Sequence, residues 1–289
     1  MFRRAIVASD FSKESIALVN TSGGLKEFGT AEILLLQFWG TLDVLGVDSF
    51  YKPTVFEDFE KNLQKQKAAL EEQGFIVETR VLEGLSASQV NKIAIDENYS
   101  LISVGSDRHI FSSMANELIH NAERPTYIFK SADGKTSQEY ERYKLPGSVA
   151  GHVLFATDFS KNSEYAFNYL IKMIPMIKDK ISLIHIQDEY RISPYLDDKI
   201  EEFNRIDTGR LEAMKKLLLE KGCPEVQTVL KYGSPSAEIL KSARELSAEM
   251  VMMGSQGRGF VNEFFLGSVS HNIARQLPVP VLLIPAKRD

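Results

Sequence analysis

Residues 250–270 read MVMMGSQGRGFVNEFFLGSVS. The first four form an uninterrupted apolar run, as in a strand buried on both faces, and beyond the loop Val269, Ile273 and Leu277 recur at helical spacing. A strand, a loop carrying Gly254, Gly257 and Gly267, and a helix start together make an anion cradle. The first amides of a helix lack carbonyl partners and carry partial positive charge. Glycines let the preceding backbone approach a phosphate with no Cβ in the way. Ser268 is expected at or beside the N-cap and Ser270 one turn in, adding hydroxyl donors. The stretch reads as a strand–loop–helix unit that holds the phosphates of a nucleotide.

Working outward, the same alternation fills the second half of the chain. Val153 to Ala156, Ile181 to Ile186, Val226 to Leu230, Met250 to Met253 and Val281 to Ile284 read as short apolar strands. Between them, helices are predicted over Ser160 to Met176, Asp197 to Lys221, Gly233-Ser234-Pro235 to about Leu246, and Ser268 to Leu277. Short apolar strands joined by helices imply a parallel sheet covered on both faces.

The first half repeats the pattern. RAIVASDFS at residues 4–12 matches HVLFATDFS at 152–160, setting Asp10 against Asp158 at an offset of 148. LISVGS at 101–106 matches MVMMGS at 250–255 at an offset of 149. An offset that stable over about a hundred residues marks a tandem duplication. Strands are predicted near Ala5 to Ala8, Ile33 to Leu36, Ile76 to Val81, Leu101 to Val104 and Thr126 to Phe129. Polar residues with Gly and Pro between the copies read as a linker over 131–148, leaving domains at 1–130 and 149–289.

Composition narrows the function classes. The chain has 289 residues, 44% hydrophobic and 25% charged, with a formal charge of -5. That balance, without a long basic block, disfavours nucleic acid or an anionic membrane as the main partner. No apolar run reaches membrane-spanning length, and the N-terminus enters a strand pattern directly, so a cytoplasmic location is the expectation. The single cysteine, Cys223, and five histidines without ligand spacing argue against a metal site.

Gly254, two residues, Gly257, nine residues, Gly267, Ser268 resembles the nucleotide loop of the universal stress protein family. The second copy is similar to that family over its whole length, including Asp158-Phe159-Ser160 after the first strand, Gly233-x-Pro235 and Pro278-x-Pro280. The whole chain therefore resembles a tandem universal stress protein. The resemblance implies two doubly wound, five-stranded parallel-sheet domains of the adenine nucleotide alpha hydrolase-like kind, paired as an intramolecular pseudo-dimer, with a homodimer of whole chains left open. It implies ATP or AMP, with or without Mg, at the carboxyl ends of the first and fourth strands. Carried over to this sequence, Ala156, Thr157 and Asp158 face the adenosine, and Ile186 and Met253 form apolar walls. Gly254, Gln256, Gly257, Gly267, Ser268, Val269 and Ser270 surround the phosphates. Read without the family, Asp158 is first a solvated turn or N-cap residue, and its register with the glycine loop turns the reading toward the ligand.

The first copy departs at the loop. Pro125 against Pro280 gives an offset of 155, so six residues are missing relative to Gly105 against Gly254, and Gly257 has no counterpart. A shortened loop carrying Asp107 is expected to hold phosphates poorly, which makes the first domain structural or weakly ligand-binding, with a residual site at Asp10 left open. No Walker lysine, GxGxxG fingerprint or catalytic triad is present. A nucleotide-binding regulatory or stress-response protein is the leading reading; a weak ATPase or nucleotidyl transferase of related fold, and a ligand-free scaffold, are the alternatives. Aromatics in two loops, Phe38 to Phe56 and Gln187 to Tyr195, are expected to pack over their own domains, the alternative being a partner or ligand lid.

Overall fold

The computed structural model describes residues 1–9, 13–39, 52–83, 86–106, 113–130, 151–192, 195–256 and 267–287. The chain divides into two compact units, Met1–Leu145 and Pro146–Asp289. The expected linker over 131–148, Asp10, the shortened loop at 107–112 and most of the aromatic loop Phe38 to Phe56 lie outside the described residues.

In unit 1 the strands are β1 (Arg4–Ser9), β2 (Glu32–Trp39), β3 (Ile76–Glu83), β4 (Leu101–Ser106) and β5 (Thr126–Lys130). The helices between them are α1 (Lys13–Thr21), α2 (Lys52–Glu72), α3 (Ala87–Asp96) and α4 (Ser113–Asn121). The strand order is β3-β2-β1-β4-β5, with every pairing parallel. The Ser22-Gly23-Gly24 string forms a short 3-10 turn after α1, Ser22–Lys26.

Unit 2 repeats this order. Its strands are β6 (Val153–Ala156), β7 (Lys180–Asp188), β8 (Glu225–Gly233), β9 (Met250–Gly254) and β10 (Val281–Ile284). Its helices are α5 (Lys161–Met173), the single-turn α6 (Glu189–Ile192), α7 (Ile200–Glu220), α8 (Pro235–Glu245) and α9 (Ser268–Gln276). The sheet order is β10-β9-β6-β7-β8 and all parallel. β6, β9 and β10 are buried along their whole lengths, the signature of a sheet covered on both faces.

Local chemistry explains the helix starts. Ser160 caps α5, its Oγ accepting the Ser163 amide at 3.2 Å, and Ala166, Phe167, Leu170 and Met173 then bury one stripe of that helix. Pro235 opens α8 as expected, with Ser234 at the N-cap; among the described residues no side-chain cap bond is made there. Two predicted helices are shorter than their apolar pattern. α5 tightens into 3-10 geometry at Ile174–Met176 around Pro175, which has no amide hydrogen to continue the ladder. α7 is preceded by a 3-10 turn at Asp197–Lys199. In unit 2 the sheet runs outward from β6 to β7 and β8, then returns to add β9 and β10 on the other side. The crevice between the carboxyl ends of β6 and β9 is the topological switch point.

Candidate functional site

A cavity of about 650 Å³ opens at that crevice, within the range of small-molecule sites. Ala156, Thr157 and Asp158 line it from the end of β6, and Met253, Gly254 and Gln256 from the end of β9. Ile186 lines it from β7, and Gly267, Ser268, Val269 and Ser270 from the start of α9. Eleven of the twelve residues singled out in the sequence thus share one cavity; Gly257 lies outside the described residues.

The loop ends are held by backbone and side-chain bonds. Ser255 donates its amide to Ile284 at 2.8 Å, and Gly267 donates to the Ser255 carbonyl at 2.8 Å. Gly267 is the N-cap of α9 and Ser268 its first residue, and among the described residues no side chain caps this end. The amides of the first turn therefore face the cavity's end without an intrahelical acceptor, the feature that makes a helix start an anion site. Ser270 differs from its expected role. Its hydroxyl is 2% exposed and turned back on the chain, 2.6 Å from the Ser255 carbonyl and 2.9 Å from the Gly267 carbonyl. It closes the loop and has no hydrogen left to offer a phosphate. Gly254 also has a local reason to be glycine. A Cβ there would meet Asn162 Nδ2 at 2.8 Å, and Asn162 is the side chain that donates to the Gln256 carbonyl at 3.0 Å.

Asp158 makes a turn at the cavity wall. One carboxylate oxygen accepts the Ser160 amide at 3.0 Å, an Asx turn, while the residue lines the cavity. The turn forces Phe159 to φ +58°, a conformation rare for a bulky side chain. Thr157 is drawn inward: its hydroxyl accepts from Ser163 Oγ at 2.8 Å and from the Phe159 amide at 3.1 Å.

A polar cluster that the sequence reading did not single out completes the wall. His185 Nδ1 lies 2.7 Å from the Thr157 carbonyl; a carbonyl only accepts, so Nδ1 carries the hydrogen. His185 Nε2 faces Asp207 Oδ2 at 3.6 Å, Gln187 Nε2 donates to the same oxygen at 3.0 Å, and Arg210 reaches Asp207 Oδ1 at 3.4 Å. Phe159 lies against the His185 ring, centroids 4.4 Å apart, and the Arg210 guanidinium lies over the Phe159 ring, 5.2 Å from its centroid. A signal for these residues exists in the sequence: in the buried run ISLIHIQ, His185 and Gln187 break an apolar strand at alternate positions. Asp207 sits four residues before buried Leu211 and four after Phe203 on one helical stripe.

In unit 1 the position of His185 belongs to Gln37, in register with Ser9. Gln37 is fully buried and neither end of its amide has a hydrogen-bond partner among the described residues. Ser9 donates to Gln66 instead, at 3.0 Å. Among the aromatic loops, Phe38 is buried as expected. Tyr190 and Tyr195 are not: they are 81% and 89% exposed, while Ile192 and Leu196 beside them turn to the cavity. The single turn α6 is too short to bury both faces. Among the described residues no cluster of three His, Cys, Asp or Glu could hold a metal ion, and no helix is long and apolar enough to cross a membrane.

Comparison with known proteins places this architecture. The model of the universal stress protein family matches residues 1–130 and again 150–285, and the chain belongs to that family. A Staphylococcus aureus protein named as a universal stress protein is 31% identical over 137 residues, 46% of this chain and 82% of the relative. The crystal structure of a universal stress protein from Archaeoglobus fulgidus superimposes with a TM-score of 0.74 at 25% identity, covering 99% of each chain. A universal stress protein structure from Pseudomonas aeruginosa shares the fold at 17% identity, with a TM-score of 0.59 over 98% of this chain and 93% of that one.

Proposed function

We propose that unit 2 binds an adenine nucleotide, ATP or AMP, and that the protein works as a nucleotide-responsive regulatory or stress-response protein. The observation that carries this reading is the cavity itself: an apolar slot between Ile186 and Met253 that ends on the uncapped first turn of α9. The cavity is electrically polarised. Partial positive charge gathers at the start of α9, while Asp188 and Asp207, the latter paired with Arg210, line the cavity from β7 and α7. A nucleotide is therefore favoured with its phosphates on the Gly267–Ser270 amides and its base toward α7. Asp158, between the two, is positioned for the ribose hydroxyls, which donate hydrogen bonds to a carboxylate. Mg, where it accompanies ATP, would be held by the phosphates and water, in keeping with its preference for phosphate oxygens.

Binding without turnover is favoured over a weak ATPase or nucleotidyl transferase. The imidazole nitrogen of His185 that could serve as a base, Nε2, points at Asp207 rather than at the α9 end where a phosphate would sit. Two measurements test the reading. Denaturing the purified protein and chromatographing the supernatant should release ATP or AMP. Titration calorimetry of nucleotide-stripped protein should show binding of added ATP or AMP. Failure of both refutes it, and steady production of ADP at turnover rates replaces it with the enzyme reading.

A further inference from the structure

We propose that the outer edge of β3 in unit 1 is a docking surface for a second copy of this chain, the two β3 strands pairing antiparallel about a two-fold axis at Thr79. The inference is independent of the nucleotide reading and gives unit 1 a role of its own.

β3 ends the strand order of unit 1, and among the described residues no strand pairs with its far side. Ile76 turns its amide toward β2, donating to the Ala31 carbonyl at 3.0 Å. Alternate residues of a strand bond to the same side, so Glu78, Arg80 and Leu82 also face β2, and the amides and carbonyls of Val77, Thr79 and Val81 face away from it. Such an edge is a template for another strand, and proteins commonly blunt it with lysine or proline. The run IVETRVLE at residues 76–83 contains neither, and it leaves Ile76 72% and Val81 44% exposed.

The occupant is named by the symmetry of this run about Thr79. In an antiparallel pair centred there, Glu78 of one chain lies opposite Arg80 of the other, Val77 opposite Val81 and Ile76 opposite Leu82, each contact occurring twice. The three outward-facing residues are the ones this register joins as hydrogen-bonded pairs, so each of their amides meets a carbonyl. Arg80 is already held along the edge, donating to Glu97 Oε1 at 2.5 Å and to Glu78 Oε1 at 2.8 Å, and meets the second chain with little ordering left to do. Glu78, with 56% of its side chain exposed, has its other oxygen available to the Arg80 opposite. The edge strand of unit 2 lacks this symmetry. At the offset of 149, Glu225, Gln227 and Val229 of β8 stand in place of Ile76, Glu78 and Arg80. Gln227 is turned to Ser182 at 2.5 Å, and Lys231 to Glu238 and Glu245 of its own unit. The complementarity therefore selects β3 against β3, which closes as a dimer, over β3 against β8, which would run on as a filament.

The test is sedimentation equilibrium of the full-length protein across a concentration series, in which the wild-type chain should reach twice the mass of one copy. Glu78→Arg sets arginine against Arg80 of the other chain, and Arg80→Glu sets glutamate against its Glu78. Each alone should raise the dimer dissociation constant roughly 10- to 100-fold, because both symmetry-related pairs change from attraction to repulsion. An equimolar mixture of the two variants makes both pairs complementary again, and should associate within about threefold of the wild-type constant. Loss of fold cannot produce that rescue, and circular dichroism verifies that each variant is folded. Ile76→Lys, at a position exposed within one chain, leaves the fold alone and should also weaken the dimer by setting a charge against Leu82. A wild-type protein that keeps the mass of one copy at every concentration overturns the proposal. So does a dimer whose dissociation constant is unmoved by these substitutions, a mixture of the folded charge variants that fails to associate, or a mass that climbs beyond the dimer.

Discussion

Gly254→Ala tests whether the loop is shaped from beneath by α5. The added Cβ would lie 2.8 Å from Nδ2 and 3.2 Å from Cγ of Asn162, and 3.4 Å from its backbone oxygen. The first distance is shorter than real Cβ contacts allow, so Asn162 has to swing away. In doing so it gives up its 3.0 Å bond to the Gln256 carbonyl. Losing that bond costs about 0.5–1.5 kcal/mol, and crowding a packed site adds about 1–3 kcal/mol. Gly254→Ala should therefore lower stability by about 2–4 kcal/mol, read as a shift in urea midpoint by circular dichroism. Asn162→Ala alone should cost about 1 kcal/mol. In the double variant the new methyl enters space the amide has vacated, and the cost should approach that of Asn162→Ala alone. The coupling between the two sites should then approach the whole cost of Gly254→Ala, about 2–4 kcal/mol. Additivity within about 0.5 kcal/mol would refute the clash as the reason for the glycine.

Other consequences follow from individual contacts. Ser270→Ala removes the hydroxyl that joins the Ser255 and Gly267 carbonyls, and should cost about 1 kcal/mol in urea unfolding and weaken ATP binding by calorimetry. Ser160→Ala removes the cap of α5 and should cost about 1 kcal/mol by the same assay. At Phe159, whose φ is +58°, Phe159→Gly should be more stable than Phe159→Ala by about 1 kcal/mol, because alanine retains the Cβ that the left-handed conformation disfavours; the opposite order would show the turn to be unstrained. His152 is buried between the Leu246 carbonyl and Ser182 Oγ, and burial, aided by repulsion from Lys180, holds its pKa below the usual histidine value. The unfolded chain thus takes up the proton first. The contribution to stability is complete above about pH 6.5 and falls as the pH drops through that value toward the folded pKa. His152→Gln should flatten the stability profile between about pH 7 and 5.

The sequence carried more of this molecule than is usual because the fold is duplicated and its strands are buried on both faces. Apolar runs such as VLFA and VLLI have one reading in a chain punctuated by helices, and the constant offset between the copies fixed the order twice over. Spacing placed the glycine loop, and the family resemblance drew Asp158, Ile186 and Met253 toward it. What spacing could not give was the direction of hydrogen bonds. Ser270 looks like a ligand donor in sequence, yet its hydroxyl turns inward to satisfy the chain, and the Thr157 hydroxyl accepts from Ser163 and from the Phe159 amide. Gly254 looks like a phosphate glycine, yet it is also the floor beneath Asn162.

The sequence by itself determined the alternating parallel architecture, the two copies and the strand–loop–helix at residues 250–270, because these depend on local periodicity and on glycine and proline at fixed offsets. Only the tertiary structure brought Asp207 of α7 to within reach of Gln187 and His185 of β7. Those residues are some twenty positions apart along the chain and join through the packing of a helix on a sheet, a distance that no local pattern encodes. The carboxylate, the amide and the imidazole acquire their meaning from the buried cavity they share.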